Sequence, residues 1–272
     1  MRADDIESAV AVTNAAFSRD PGDGAAARRW RERIAHPWQT DPDGAFVAER
    51  AGQVIGVAQA IMRERLWCLS MLAVSPGIQS AGAGRALFER AAAYGRATES
   101  GLIVSSNDTR AMRLYADSGF ALHPTFEAEG MVDRRRLPGR NGPVRDDDGS
   151  DLESLAALTR AVRGAPYTAE LGLVLGQGGR LLRATNRGFA VVAAGGQVWA
   201  LVARDEETAS ALLWSALALA DGPTRVRWIT GAQQWAVDVV ARARLPMVSY
   251  GALCVRGTPG PLAPFLPSSP FA

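Results

Sequence analysis

Between residues 72 and 87 the chain reads Leu72-Ala73-Val74-Ser75-Pro76-Gly77-Ile78-Gln79-Ser80-Ala81-Gly82-Ala83-Gly84-Arg85-Ala86-Leu87: an apolar strand, a turn of small residues, then the start of a helix. Small residues let successive backbone N–H groups approach a ligand, and free amides at the positive end of a helix favour an anion such as a phosphate. No Gly-Lys-Ser/Thr follows, so the turn is not a Walker loop. Nor is it the dinucleotide fingerprint, because Gln79 stands in place of the first glycine and no parallel strand-helix-strand start precedes it. Glycine turns at strand-to-helix junctions also serve steric ends, so a second motif is needed to name a chemistry. Other reactive side chains are sparse. Cys68, Cys254, His36 and His123 lie far apart without ligand spacing, so neither a disulfide framework nor a metal site is expected. All 30 basic side chains are arginine. With no lysine, no Schiff base can form, and a phosphate site must rest on backbone amides helped at most by arginine.

The second motif runs Leu102-Ile103-Val104-Ser105-Ser106-Asn107-Asp108-Thr109-Arg110-Ala111-Met112-Arg113-Leu114-Tyr115-Ala116-Asp117-Ser118-Gly119-Phe120. The two segments together resemble the GNAT superfamily of acetyl-CoA-dependent N-acyltransferases. Gln79, Gly82 and Gly84 match its Q/R-x-x-G-x-G/A signature, and the later segment matches its N-x-x-A-x-x-L-Y-x-x-x-G-F region. The resemblance covers most of residues 3–133. It implies an α/β (α+β) fold, with a mixed central sheet carrying a splayed strand pair and flanked by helices.

Carried over residue by residue, the resemblance implies that the Leu72, Ala73 and Val74 backbone pairs with the pantetheine arm of acetyl-CoA. Amides from Ser80 through Ala81, Gly82, Ala83 and Gly84 to Arg85 would hold the pyrophosphate, and the thioester would sit where strands 66–74 and 102–105 splay. The Leu72 amide would polarise the thioester carbonyl. Tyr115 matches the position that protonates the departing thiolate; a packed aromatic on an amphipathic helix is the alternative. The chain departs from the pattern where the family asparagine is replaced by Asp108, with Asn107 one residue earlier. An ionised aspartate cannot donate to a pantetheine carbonyl, so either the usual contact is absent or Asn107 supplies it through a shifted turn, and either residue can cap the next helix.

An amine acceptor with a pKa near ~10.4 is mostly protonated at neutral pH and needs a base. Strand 66–71 carries no carboxylate, so Glu64 just before it is the base candidate, with Glu127 and Glu129 on one face of a later strand; each also reads as a solvated strand-end charge. Residues 17–38 and later loops would shape the acceptor pocket.

The elements that must position these residues occur twice. Asp5-Ile6-Glu7-Ser8-Ala9-Val10-Ala11-Val12-Thr13 aligns with Asp151-Leu152-Glu153-Ser154-Leu155-Ala156-Ala157-Leu158-Thr159 at an offset of 146, with five of nine positions identical. Periodicity then predicts helices at 5–17 and 25–35, strands at 45–50, 54–62 and 66–74, helix 82–98, strand 102–105, helix 109–117, and paired strands after Gly119. The second half repeats that order: helices 151–163 and 168–175, strands near 181–185, 188–194 and 197–203, helix 206–220, strand 225–230, helix 232–242, and strands near 247–256. Residues 138–143 have linker composition, giving domains 1–139 and 140–272. Pro143 to Asp146 can open the second copy with a strand that the first copy lacks, which suggests a true start upstream of Met1. The second copy has no glycine turn: Asp205, Glu206 and Glu207 stand at the phosphate position, and no tyrosine matches Tyr115. It is read as a degenerate GNAT-like domain without coenzyme. The tail from Gly260, with its apolar Leu262, Phe265, Leu266 and Phe271, is expected along the interface between domains.

The 272-residue length suits two domains, and 47% hydrophobic with 21% charged residues excludes a fully disordered chain. Residues 1–140 carry 18 Arg against 17 acids and residues 141–272 carry 12 against 11, so neither half has a nucleic-acid footprint. Arginine in place of lysine matches high-GC, bacterial codon usage. The N-terminus lacks an apolar segment and no uncharged run reaches the ~18 residues of a span, so a cytoplasmic protein with no membrane partner is expected, as a monomer or homodimer. The function these features imply is transfer of an acetyl group from acetyl-CoA to the primary amine of a small molecule by direct attack in a ternary complex. A silent acyl-CoA-binding or scaffold protein, or acyl transfer to another nucleophile, is the alternative.

Overall fold

The computed structural model describes residues 1–20, 22, 24–79, 82–139, 143–268 and 271. They form two compact units, one of residues 1–101 with Phe271, the other of residues 102–268.

In the first unit, α1 (Ile6–Ala16) and α2 (Gly24–Thr40) lay apolar stripes on a meander of β1 (Ala45–Arg50), β2 (Gln53–Arg63) and β3 (Leu66–Val74). Helix α2 continues five residues past the expected end, through Pro37. The β1–β2 turn forms where Ala51 and Gly52 both take left-handed backbone, φ 50° and 77°. One core cluster joins Ala9 and Val12 of α1, Ile34 of α2, and Val57, Met71 and Ala73 of the sheet. α3 (Ala83–Tyr94) packs on β2 and β3: a Cβ on Gly56 would lie 2.8 Å from Leu87, and buried Trp67 donates its indole N–H to the Ala91 carbonyl at 3.0 Å.

The β2–β3 ladder contains one irregularity that matters for the site. Gln59 pairs with Met71, but Ala60 pairs with Leu69, so Ser70 is an extra residue in β3. Such a bulge frees backbone groups from the ladder and re-aims neighbouring side chains.

The second unit begins in β4 (Ser100–Ser105) and continues through α4 (Thr109–Asp117), β5 (Ala121–Gly130), β6 (Arg145–Asp147), α5 (Glu153–Arg163), α6 (Thr168–Gly176), β7 (Arg180–Ala184), β8 (Gly188–Val192), β9 (Val198–Ala203), α7 (Glu206–Ala218), β10 (Thr224–Thr230), α8 (Gln234–Arg242), β11 (Met247–Arg256) and β12 (Phe265–Leu266). Its strands lie in two orders, β4-β11-β5-β10 and β12-β9-β8-β7-β6. The strands expected to pair with each other after Gly119 do not. β5 instead runs antiparallel to two strands of the second copy, Thr125 opposite Thr230 of β10 and Ala128 opposite Met247 of β11. β5 thus sits among second-copy strands, and the first compact unit ends at residue 101. Arg140, of the expected domain edge, lies outside the described residues.

The duplication shows in atomic detail. Thr13 is fully buried and bonds through its hydroxyl to the Ala9 and Val10 carbonyls, both at 2.9 Å; Thr159, at the offset position, bonds to the Leu155 and Ala156 carbonyls at 3.1 and 3.0 Å. The strand–strand–strand–helix–strand–helix–strand order of β1 to β5 returns as β7 to β11. These are two GNAT-like domains on one chain.

Candidate functional site

The β3–α3 turn has the form an anion cradle needs. Gly82 is the N-cap of α3 at φ 84°, where a side chain would be strained, and among the described residues a Cβ there would meet no atom within 4 Å. The first-turn amides of Ala83, Gly84 and Arg85 have no intrahelical acceptor, and among the described residues no N-cap side chain bonds to them and the turn holds no acid. A Cβ on Gly84 would make ordinary contact with Val74 at 3.6 Å, which places the first turn of α3 against the end of β3. The Gln79 amide donates to the Val74 carbonyl at 3.1 Å, closing the turn back on its own strand. Leu72 and Val74 are half-buried and Ala73 is buried. Ser80 and Ala81 lie outside the described residues.

The equivalent helix of the second copy starts differently. Asp205 is the N-cap of α7 and accepts from the Thr208 amide at 2.9 Å, with Glu206 and Glu207 in the same turn and Arg187 paired to Asp205 at 2.7 Å. Carboxylates already occupy the positive end of this helix. The cleft beside it is also filled. β9 and β10 belong to different sheets, and β12 pairs with β9, Phe265 opposite Val202 and Leu266 opposite Leu201. Gln233 donates to the Leu262 carbonyl at 2.7 Å and accepts from the Phe265 amide at 3.1 Å, and the Ala203 amide donates to Pro264 at 3.2 Å. The described tail up to residue 268 is thus a strand of the second unit, while Phe271 is fully buried in the first, edge-on to His36 at 5.4 Å.

Asn107, Asp108 and Tyr115 belong to the second unit. Asp108 caps α4, accepting from the Arg110 and Ala111 amides, and the Arg110 side chain, its strongest influence, holds its carboxyl below the usual range. The Asn107 carbonyl accepts the Gly251 amide at 2.6 Å, so this side chain fixes a bulge in β11. Tyr115 is 5% exposed, and burial above all, with the neighbouring Cys254 and Asp108, raises its hydroxyl well above the ordinary tyrosine value. It therefore stays protonated at neutral pH, as a donor must. Burial also pushes the Cys254 thiol up to about 12, which removes it as a nucleophile. Around the same bulge, Arg227 lies 4.8 Å from the Tyr250 ring and 5.6 Å from that of Trp228. Trp228 marks a second bulge, in β10, and donates to the Ser105 carbonyl at 3.4 Å.

None of the base candidates is a free carboxylate beside the strand centre. Glu64 sits in the β2–β3 turn at φ 54°, ahead of a β3 that begins at Leu66, six strand residues or about 20 Å at ~3.3 Å per residue before Leu72. Glu127 is ion-paired with Arg227 and lies 3.8 Å from Arg225. Glu129 is gripped by both ends of the Arg225 guanidinium, at 2.8 and 2.6 Å, and that bond holds its carboxyl low. A carboxylate so clamped is a weak base. Among the described residues no group of three or more His, Cys, Asp and Glu comes together as a metal site, and no helix is long and apolar enough to cross a membrane. Ser70, Gly251, Arg227, Trp228 and Tyr250 were not singled out from the sequence. The available signal was Gly251 isolated in a strand pattern, which marks a bulge.

Residues 11–120 match the acetyltransferase (GNAT) family profile. A mycothiol acetyltransferase of Streptomyces avermitilis is 36% identical over 123 residues, covering 43% of this chain and 39% of that protein, and one from Kineococcus radiotolerans is 36% identical over 119 residues, covering 41% and 38%. The matched stretch is thus about two fifths of either protein's length. Among solved structures, a protein from Pyrococcus horikoshii superposes with a TM-score of 0.82 at 18% identity, over 99% of this chain and 93% of that one. A tandem GNAT protein from the clavulanic acid biosynthesis pathway superposes with a TM-score of 0.59 at 13% identity, over 95% and 96%. The glycine turn, the Tyr115 helix, the repeated fold and these likenesses agree: residues 11–120 carry the acetyltransferase (GNAT) family pattern, and the chain as a whole has a GNAT-like fold.

Proposed function

We propose that the protein is an acetyl-CoA-dependent N-acetyltransferase acting on the primary amine of a small molecule, by direct attack in a ternary complex. The observation that carries this reading is the contrast between two equivalent helices, α3 uncapped behind a left-handed glycine and α7 capped by Asp205. The α3 amides bind the pyrophosphate of acetyl-CoA, and the edge of β3 at Leu72 to Val74 takes the pantetheine arm. Tyr115 protonates the thiolate as it leaves. A thiol of pKa ~8.5 is already a fair leaving group, so Tyr115→Phe is expected to slow turnover by no more than about 100-fold, most at low pH. A full rate at every pH would remove the role. Residues 1–139 form the catalytic domain and 140–272 the second, which binds no coenzyme because its helix start is anionic and its cleft holds β12. Calorimetry should count one coenzyme per chain; a count of two would overturn that assignment.

The test of the activity is thiol release from acetyl-CoA with a panel of polyamines, aminoglycosides, amino acids, peptides and the amine precursor of mycothiol. Release with an amine, and acetylated product by mass, supports the reading. The clamped Glu127 and Glu129 favour the second reading, a coenzyme-binding protein without turnover, and binding with no release on any acceptor would select it.

A further inference from the structure

Arg33 of α2 lies against the bulge of β3. Its Nη2 donates to the Ser70 carbonyl at 2.5 Å, and that carbonyl belongs to the extra residue in the β2–β3 ladder. The guanidinium carbon is 5.1 Å from the Phe271 ring centroid and 5.9 Å from that of Trp30, and a second guanidinium, of Arg19, lies 3.9 Å from the Trp30 ring. The other nitrogen, Nη1, is out of solvent and has no hydrogen-bond partner, and neither has the hydroxyl of Ser70, a residue 6% exposed. Both unpartnered groups therefore belong to residues that meet at the β3 bulge, through the bond from Nη2 to the Ser70 carbonyl. Among the described residues no carboxylate pairs with Arg33. Burial, and secondarily the Arg19 charge, pull its guanidinium well below the ordinary arginine value.

A guanidinium withdrawn from water without a counter-charge is costly to keep, and an unpaired buried donor adds to that cost. The arrangement makes sense when an anion supplies both bonds. A guanidinium N–H and a hydroxyl brought to one bulge are the donor types that can serve the two oxygens of one carboxylate.

We propose that Arg33 and Ser70 form a carboxylate-recognition subsite, so that the acceptor is an amine carrying a carboxylate. This rests on the N-acetyltransferase reading, with the acceptor bound on the first unit beside β3. Ser70 donates to one carboxylate oxygen and Arg33 Nη1 to the other, while the charge of Arg19 strengthens the attraction. Trp30 and the Phe271 ring flank the guanidinium and restrict its motion.

The test uses the full chain saturated with coenzyme A and three ligands of similar size: alanine, alaninamide and phosphoethanolamine. Calorimetry should show alanine binding at least about 10-fold tighter than alaninamide, the scale of a charge-assisted pair. Arg33→Gln should remove that preference with coenzyme affinity kept, Arg33→Lys should retain part of it, and Ser70→Ala should reduce it by less. Equal binding of alanine and alaninamide, or an equal fall for both in Arg33→Gln, overturns the subsite and leaves Arg33 a packing residue. Preference for phosphoethanolamine over alanine overturns the carboxylate assignment in favour of phosphate monoesters. Thiol release on the same ligands separates this from the parent reading: release without carboxylate preference sinks only the subsite, and carboxylate binding without release on any acceptor sinks only the transfer activity.

Discussion

Gly82→Asp is expected to weaken acetyl-CoA binding by about 100-fold or more, roughly 2.7 kcal/mol, with little change in folding. The described residues leave room for the side chain, since among them a Cβ at Gly82 would meet nothing within 4 Å. The intramolecular cost is the left-handed backbone at φ 84°, on the order of 1 kcal/mol for a residue with a Cβ and less for aspartate than for most. The binding cost is larger because two effects add. A carboxylate at the start of α3 repels a diphosphate, and it competes for the same first-turn amides, as Asp205 does at α7. The substitution thus gives the active copy the helix start of the second copy. Gly82→Ala separates charge from strain and should cost only a few-fold. Calorimetric titration with acetyl-CoA checks both; an unchanged affinity in Gly82→Asp would mean that the pyrophosphate is held elsewhere.

The sequence carried most of what is local and little of what is distant. The glycine turn and both copies of the opening helix were legible because their signals lie within a few residues of each other: a left-handed glycine before a helix, and an apolar stripe with a back-bonded threonine at Thr13 and Thr159. The partners of β5 were not legible. Strand edges carry no label of their partner, and β5 alternates acceptably against any neighbour; it pairs with β10 and β11, about a hundred residues away, instead of with a strand of its own copy. The same limit hid the tail, whose short strand reads as a proline-rich end until β9 is seen to leave the sheet that contains β10. The ion pairs of two base candidates were hidden for a related reason. Glu127 and Glu129 look free in sequence, and their arginine partners lie at 225 and 227, on another strand. Ser70 was invisible because a bulge is a property of two strands together, and only the skipped partner in β2 reveals it.

The bulge at Gly251 shows how much can hang on one such irregularity, and Gly251→Ala is expected to destabilise the second unit by about 3 kcal/mol or more. A Cβ there would lie 1.8 Å from the Ser105 carbonyl oxygen and 2.9 Å from its carbon, contacts with backbone that a rotamer change cannot relieve. The left-handed φ of 63° adds on the order of 1 kcal/mol for alanine. Neither side of the contact is free to withdraw. The Ser105 carbonyl accepts the Trp228 indole, and the Gly251 amide is held by Asn107 at 2.6 Å. Relief therefore means parting β11 from the end of β4, which takes the Asn107 bond with it and disturbs the helix that carries Tyr115. Asn107→Ala removes one acceptor without the clash and should cost about 1 to 2 kcal/mol, so Gly251→Ala should be the more damaging of the two. Urea unfolding measures both. For a unit of this size the expected drop in midpoint for Gly251→Ala is roughly 6 to 12 °C by heat, and wild-type stability in that variant would show that β11 does not approach Ser105 as closely as this geometry requires.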